Sequence, residues 1–432
     1  VQEVELSGVV IDPGGLQVIE GLLFPSFDTA NRAELVRQLE LLQRACDRYK
    51  MHFANIDILD WQVFDATKLE VFRIETLGIT GFDNPLTLKS MEESAASLES
   101  IKKVLGYYGG EKDIDAAVRY LDSHAAFNAF DRAEFIKGYA NPVTAGITNM
   151  VGSLGISMIR YNRLLNQDAK TLFDTVAFNV NAYVPDQASF VSPEKVALGK
   201  ILFSDPVLSG DGTRSCQSCH QPGKAFTDGL VKNTNLGSKA LLARNTPTLI
   251  NAALQPSLFY DMRVGTLEDQ SVTVVQNAVE MHGSMRLSVQ RLWRDTMYRR
   301  LFAAAFPREG RTGINGNFPP RFVKTEVEVI GVPAAAGDKA IDGDLGRFSI
   351  VPNESFRHAF KTPSVRNVAR TAPYMHNGVF VTLDEVMDFY NKGGGAGLGI
   401  RIPNQTLPFD SLGLSGQERS DIIAFMKCLD SR

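Results

Sequence analysis

Residues 216–220 read Cys216-Gln217-Ser218-Cys219-His220, and no other stretch constrains the chain as much. C-x-x-C-H is the pattern of covalent c-type haem attachment. Two thiols one helical turn apart add to the two vinyl groups of the macrocycle, and the adjacent imidazole, His220, supplies an axial nitrogen to iron. The same cysteine spacing also occurs in redox dithiols and in half zinc sites. A zinc site needs a second Cys or His pair, and the other two cysteines, Cys46 and Cys428, each stand alone in a helical pattern. A redox dithiol goes with a thioredoxin-like βαβ unit, which the flanking sequence does not spell out. The motif therefore reads as a haem c site.

The chain has 432 residues, enough for two domains, and a formal net charge of −4 without a basic tract, which makes nucleic acid an unlikely class of partner. Apolar residues make up 44 % and charged residues 22 %, the balance of an ordinary globular protein. No apolar run reaches membrane-spanning length. The start, Val1-Gln2-Glu3-Val4, lacks the charged and apolar regions of a signal peptide. Haem c is assembled outside the cytoplasm, so the sequence reads as the mature or trimmed form of an exported, periplasmic protein, soluble or lipid-anchored. Cys46 and Cys428 can pair as a disulfide there; the helical patterns favour each as a small buried hydrophobe.

Working outward from the motif, the first ~180 residues read as an all-α domain without a cofactor motif. Leu35, Leu39, Leu42, Cys46 and Tyr49 recur on one helix face, as do Leu98, Ile101, Leu105 and Tyr108. Asp113 is placed to cap a helix carrying Ile114, Ala117, Val118 and Leu121. His52 and His124 read as ordinary surface or core histidines. An irregular stretch over 176–192 marks the expected boundary, and Ser192-Pro193-Glu194 opens a new helix. From there short helices alternate with long Gly/Pro/Asn-rich loops, a pattern suited to wrapping a cofactor plane. Ser415-Gly416-Gln417-Glu418 is a capping box for the last helix. The expected architecture is mainly α: an N-terminal helical domain over 1–180, a first cytochrome c-like haem domain over 185–310 and a second over 317–432. Gly393-Gly394-Gly395-Ala396-Gly397 lacks the Lys-Ser/Thr of a phosphate loop and reads as a flexible loop.

Several further stretches carry a family resemblance. Leu198-Gly199-Lys200-Ile201-Leu202-Phe203-Ser204-Asp205 precedes the motif, and Lys224-Ala225-Phe226-Thr227-Asp228-Gly229 follows it. Arg244-Asn245-Thr246-Pro247, Leu267-Glu268-Asp269-Gln270, Glu280-Met281 and Thr371-Ala372-Pro373-Tyr374-Met375-His376-Asn377-Gly378 come next. Together, over about residues 185–430, they closely resemble the bacterial di-haem cytochrome c peroxidase superfamily, which includes a MauG-like branch. The resemblance implies that His220 is the proximal ligand of the peroxide-reacting haem, that Glu280 is the distal acid–base glutamate and that Gln270 lies near it. It implies a calcium ion held by Asn245, Thr371 and Pro373, the hard oxygen donors such an ion takes. The implied substrate is hydrogen peroxide, with a small redox protein as electron donor or an oxidisable protein or organic substrate, and a homodimer as an allowed assembly. A non-catalytic electron-transfer cytochrome is the rival; its mark is a second strong iron ligand, for which Met281 and His282 are the candidates. A haem-containing scaffold built around the N-terminal domain is a third reading, disfavoured by the retained Gln270 and Glu280.

Three departures stand out. Between Thr234 and Arg244 there is no histidine, where many peroxidases of this type carry one that blocks the iron. Tyr390 falls where other members place an axial methionine and the MauG-like branch a tyrosine, and Tyr260 stands where a tryptophan relays electrons between haems. Finally, the second C-x-x-C-H is missing: Arg308–Gly316 joins the flanking segments without a cysteine. Either the chain is a single-haem variant, or a second-haem segment is left out of the sequence; retention of Thr371, Pro373 and Tyr390 favours the latter. His376 matches a family histidine near the second haem. His282 and His358 read as structural or surface residues.

Overall fold

The computed structural model describes residues 3–4, 10–11, 14–110, 112–159, 162–307 and 327–430. It is mainly α, and the chain falls into two compact units, Val1–Tyr161 with Leu165–Phe178, and Asn162–Leu164 with Asn179–Arg432. The expectations for 308–326 lie outside the described residues. No helix among those described is long and apolar enough to cross a membrane.

The first unit opens on a two-residue antiparallel pair, β1 (Glu3–Val4) with β2 (Val10–Ile11), and then is helical: α1 (Leu16–Leu23), α2 (Arg32–Ala54), α3 (Asp60–Arg73), α4 (Ser90–Gly106), α5 (Lys112–Ser123), α6 (Arg132–Phe135) and α7 (Asn141–Ser153). The periodic positions of α4 and α5 make the core: Leu98, Ile101, Leu105, Ile114, Ala117, Val118 and Leu121 are all buried, packed with Phe64, Val71, Phe135, Val143 and Ile147. Each such aliphatic side chain contributes roughly 1.5–3 kcal/mol on burial. Asp113 lies inside the first turn of α5 rather than before it, where its charge favours the positive end of the helix dipole. The Lys68 ammonium is buried on α3 and bonded to Thr148 Oγ1 (3.3 Å) and to the carbonyls of Gln167 and Ala169.

The stripe on α2 behaves differently from its reading as a core face. The only buried residue of this helix is polar Gln38, while Leu39, Tyr49 and Cys46 are exposed. Cys428 is exposed too, and both thiols are free, which corrects the expectation of two buried hydrophobes. Periodicity says which residues share a face; it does not say that another element covers that face.

In the second unit, α8 (Pro193–Ser204) starts as its sequence dictates, with Ser192 Oγ accepting from Lys195 N and Pro193 in the first turn. α9 (Leu267–Gln276), α10 (Met285–Arg294) and α11 (Thr296–Ala305) complete a first lobe, whose small core joins Leu198, Ile201 and Leu202 to Tyr298, Leu301 and Phe302. A second lobe contains β3 (Val327–Glu328) paired antiparallel with β4 (Phe360–Lys361), then α12 (Leu383–Asn391), α13 (Gly394–Gly397) and α14 (Gly416–Cys428). The capping box of α14 forms as written, with Ser415 and Glu418 bonded reciprocally. The glycine run at 393–397 is no flexible loop. Gly394 and Gly395 are buried, Gly395 N donates to the Ile330 carbonyl (2.9 Å), and a Cβ on Gly395 would lie 2.3 Å from the Gly331 carbonyl oxygen. Glycine is there because two backbones touch.

Candidate haem site

The motif forms a single 3₁₀ turn, Cys216–Ser218, started by Ser215. His220 N donates to the Cys216 carbonyl (2.9 Å), the closure that brings both thiols to one face. Burial pushes both thiols up, so they are protonated sulfurs rather than the reactive thiolate of a redox dithiol.

The imidazole is oriented by the loop that follows. Ala225 and Phe226 both take left-handed φ values, 53° and 59°, which turns the Phe226 carbonyl back toward the motif. Phe226 N bonds to Gln221 O (2.9 Å), and Thr248 Oγ1 holds the Ala225 carbonyl (2.6 Å). His220 Nδ1 donates to the Phe226 carbonyl at 3.0 Å. A carbonyl can only accept, so the proton sits on Nδ1 and the lone pair on Nε2, the tautomer a metal needs. Burial also pulls the His220 pKa down, against the neighbouring carbonyls of Phe226 and Pro247 and the Asp228 carboxylate. The neutral ring is favoured, as a ligand must be. These residues fit a covalent haem: paired thiols on one face, a tautomer fixed by its backbone partner, and Phe203 and Phe226 edge-on at 6.0 Å beside them.

Asp228 is a site residue that the motif reading quoted without giving it a task. It is buried, and its carboxylate accepts from Leu230 N (2.9 Å), Asn233 Nδ2 (2.8 Å) and Thr246 Oγ1 (2.8 Å). Asn233 Nδ2 in turn reaches Cys219 Sγ at 3.4 Å. An aspartate between a threonine and a glycine in sequence reads as a turn residue, so only the fold reveals this hub.

Glu280 follows α9 in a tight turn: the amides of Glu280, Met281 and His282 all donate to the Asn277 carbonyl. Arg214 reaches across to the Glu280 carbonyl (3.3 Å) and the Thr234 carbonyl (3.1 Å). The Glu280 side chain is half-buried, and burial raises its carboxyl above the usual range, with Arg263, Arg214 and Asn277 opposing. Burial chiefly raises the Cys219 thiol, and the negative charge of Glu280 adds to it. The structure thus brings Glu280 to the motif, while Gln270 sits half-buried in the first turn of α9. The segment without a histidine closes a short hairpin, Thr234 bridged to Leu241, and Leu236 N bonds to the Val279 carbonyl (2.8 Å) next to Glu280. Of the rival ligand candidates, the Met281 side chain is buried and His282 is exposed.

Glu280 owes its position to a backbone contact between 208–210 and 281–283. Gly210 N donates to Met281 O (2.8 Å), and a Cβ on Gly210 would lie 1.9 Å from the His282 carbonyl oxygen. Gly210→Ala is expected to force these two segments apart and cost about 1–3 kcal/mol, as overpacking does. Thermal unfolding checks it; an unchanged midpoint removes the constraint.

The residues expected to bind calcium lie on two segments that meet. Asn245 N donates to the His376 carbonyl (2.8 Å), and Asn245 Nδ2 to the Leu230 carbonyl (3.0 Å). Its Oδ1 takes only a long bond from the Tyr260 hydroxyl (3.4 Å). Thr371 and buried Pro373 belong to the segment that His376 continues, around a cis Ala372–Pro373 bond. Tyr390 is half-buried on α12, edge-on to Phe389 at 5.8 Å.

The family described as di-haem cytochrome c peroxidase matches residues 193–324. The methylamine utilization protein MauG of Methylorubrum extorquens is 32 % identical over 288 residues, which cover 56 % of this chain and 80 % of that relative. The chain belongs to the di-haem cytochrome c peroxidase and MauG family. It is a haem peroxidase-type oxidoreductase. Cytochrome c551 peroxidase of Pseudomonas aeruginosa is 27 % identical over 265 residues, half of this chain and 75 % of that protein. A solved MauG-like protein associated with microbial copper homeostasis aligns with a TM-score of 0.47 and 27 % identity, covering 58 % of this chain and 94 % of that one. As a family member the chain takes haem c.

Proposed function

We propose that Cys216 and Cys219 hold a haem c whose iron is ligated by His220, and that Glu280 is the acid–base group for hydrogen peroxide at that site. The observation that carries this is the pairing of a fixed Nδ1–H tautomer at His220 with a half-buried glutamate whose carboxyl is lifted by burial and lies near Cys219. The haem supplies the iron at which the O–O bond is cleaved. The residues supply the proton traffic. In its ionised form Glu280 takes a proton from one peroxide oxygen and returns it to the other, which leaves as water. The remaining oxygen becomes the second water only with the two electrons of the donor and two protons from solvent. Arg263 and Arg214 favour the ionised form of Glu280, against the larger upward push of burial. Gln270 is assigned as the polar neighbour that orients peroxide. The two electrons required come from a small redox protein or from an oxidisable protein or organic substrate.

Asn245 Oδ1 with the carbonyls of Thr371 and Pro373 is proposed as a calcium site that pins the two lobes of the second unit together. The donor chemistry supports it, since the amide oxygen of a buried asparagine is only loosely engaged by Tyr260. Attachment of haem c places the protein in an extracytoplasmic compartment, the periplasm of a bacterium.

The test is direct. Hydrogen peroxide added to the ferric holoprotein, with no prior reduction, should change its Soret band within the mixing time of a stopped-flow instrument. A spectrum that stays six-coordinate and unchanged sinks the proposal in favour of an electron-transfer cytochrome.

A further inference from the structure

The family is a di-haem one, and the resemblance places the second haem with the lobe at 327–430. The residues of this chain do not fit a second covalent haem. Its four cysteines are Cys46, Cys216, Cys219 and Cys428, and only the pair at 216 and 219 has C-x-x-C spacing. Cys428 has no second thiol near it in sequence, and no histidine follows His376. Attachment by two thioethers is therefore available once.

The ligands do not fit either. The lobe contains two histidines, His358 and His376. His376 is 4 % exposed, its ring stacked flat on Phe360 at 3.7 Å and 9°, with Nε2 bonded to Asp342 Oδ1 at 3.1 Å. The Asp342 carboxylate also accepts from Asn377 Nδ2 (3.1 Å), so the acid and the imidazole hold one another in place. An iron would have to take the Nε2 that Asp342 already holds. His358 donates its Nδ1–H to the Asp344 carbonyl (2.8 Å), which leaves Nε2 with a lone pair, but no pair of thiols stands beside it to attach a haem. Around them the lobe closes on itself: Val329, Val332, Phe356, Ala359, Phe380, Leu383, Met387, Phe389, Ile400 and Ile402 are all at most 8 % exposed.

The path between lobes has lost its carrier as well. The Tyr260 hydroxyl meets only the Asn245 amide oxygen, at a long 3.4 Å, among the described residues, and that group is no base. A tyrosine gives up an electron readily only when its proton has somewhere to go.

What the lobe does hold is the proximal loop of the first haem site. Asp344 binds Arg244 through both carboxylate oxygens (2.6 and 3.0 Å), and the His376 carbonyl takes Asn245 N. The next residue, Thr246, bonds to Asp228, whose carboxylate lies in the electrostatic field of His220.

We infer that this chain carries a single covalent haem, and that its 327–430 lobe is a haem-free brace for the loop behind His220, with His376 and Tyr390 as packing residues. The inference takes over from the proposed function only the first haem. It reverses the balance that the retained Thr371, Pro373 and Tyr390 set, because those residues can ligate or line a haem but cannot attach one, and the chain has a single C-x-x-C pair.

The experiment uses the full chain matured with haem c. Intact mass should show the increment of one haem, the pyridine haemochrome should give one haem per chain, and acid–acetone should extract none. A redox titration should show one one-electron wave. Two haems per chain, by mass or by extraction, overturn the inference. So does loss of a low-spin signal in His376→Ala or His358→Ala, which would make that histidine a ligand. The two readings fail separately. One haem with no response to peroxide removes the peroxidase assignment and leaves this one standing; two haems with a peroxide response do the opposite.

Discussion

Glu280→Gln lowers the rate of peroxide cleavage by about 10²–10⁴-fold and leaves the haem attached, because general acid–base catalysis by one placed group is worth that much. The amide keeps the size and most of the hydrogen bonding of the carboxylate but cannot take a proton. The pH profile separates loss of this chemistry from a structural disturbance. Burial raises the Glu280 carboxyl, so the base form in the folded protein is lost as pH falls through a value above the ordinary carboxylate range. In the parent chain the rate should therefore decline on the acid side at a pH higher than a free glutamate would give. In the variant the residual rate should lack that limb. Stopped-flow rates at several pH values, with haemochrome content as the control, check both points. A variant that retains the parent rate removes Glu280 from the mechanism.

The second large effect lies far from the haem motif in sequence. Glu75 sits in a π-helical turn, Ile74–Gly78, that continues α3; it is 5 % exposed, and neither carboxylate oxygen has a hydrogen-bond partner among the described residues. Burial pushes its carboxyl up to about 8. The folded chain then holds this proton over a range of pH in which the unfolded chain, with an ordinary glutamate near 4.5, has lost it. Stability linked to Glu75 is thus complete below about 4.5, falls as pH rises, and is gone above about 8. At 1.4 kcal/mol per pK unit the whole change is at most about 5 kcal/mol, an upper bound because buried sites relax. Glu75→Gln should flatten that dependence. Urea unfolding at pH 5, 6.5 and 8, followed by helix signal, measures it. Equal slopes with pH for parent and variant would show that Glu75 finds a partner or water.

Local signals were legible wherever the chain itself makes the contact. Ser192 and Pro193 start α8, Ser415 and Glu418 cap α14, and the apolar periods of α4 and α5 meet in the core of the first unit. The stripe on α2 had the same period and did not meet anything comparable: Leu39 is 47 % exposed and Tyr49 65 %. A hydrophobic period is a property of one helix, whereas burial is a property of a pair. The glycine run at 393–397 failed as a loop prediction for a related reason. Its purpose is the Gly331 backbone more than sixty residues earlier, which no local rule can see.

The sequence alone determined the mainly α class and the peroxidase family, and it wrote the C-x-x-C-H pattern at Cys216–His220 on which the haem proposal rests, because motif order is carried by the chain itself. Only the tertiary structure decided which nitrogen of His220 keeps its lone pair, that Asp228 links the motif loop to Thr246, and that Glu280 lies near Cys219. It also decided that His376 is spent on Asp342 and Phe360. Each of these is a matter of where a carbonyl, a carboxylate or a ring arrives from a distant segment. Spacing along the chain fixes which groups exist; their protonation and their availability depend on the neighbours that folding brings.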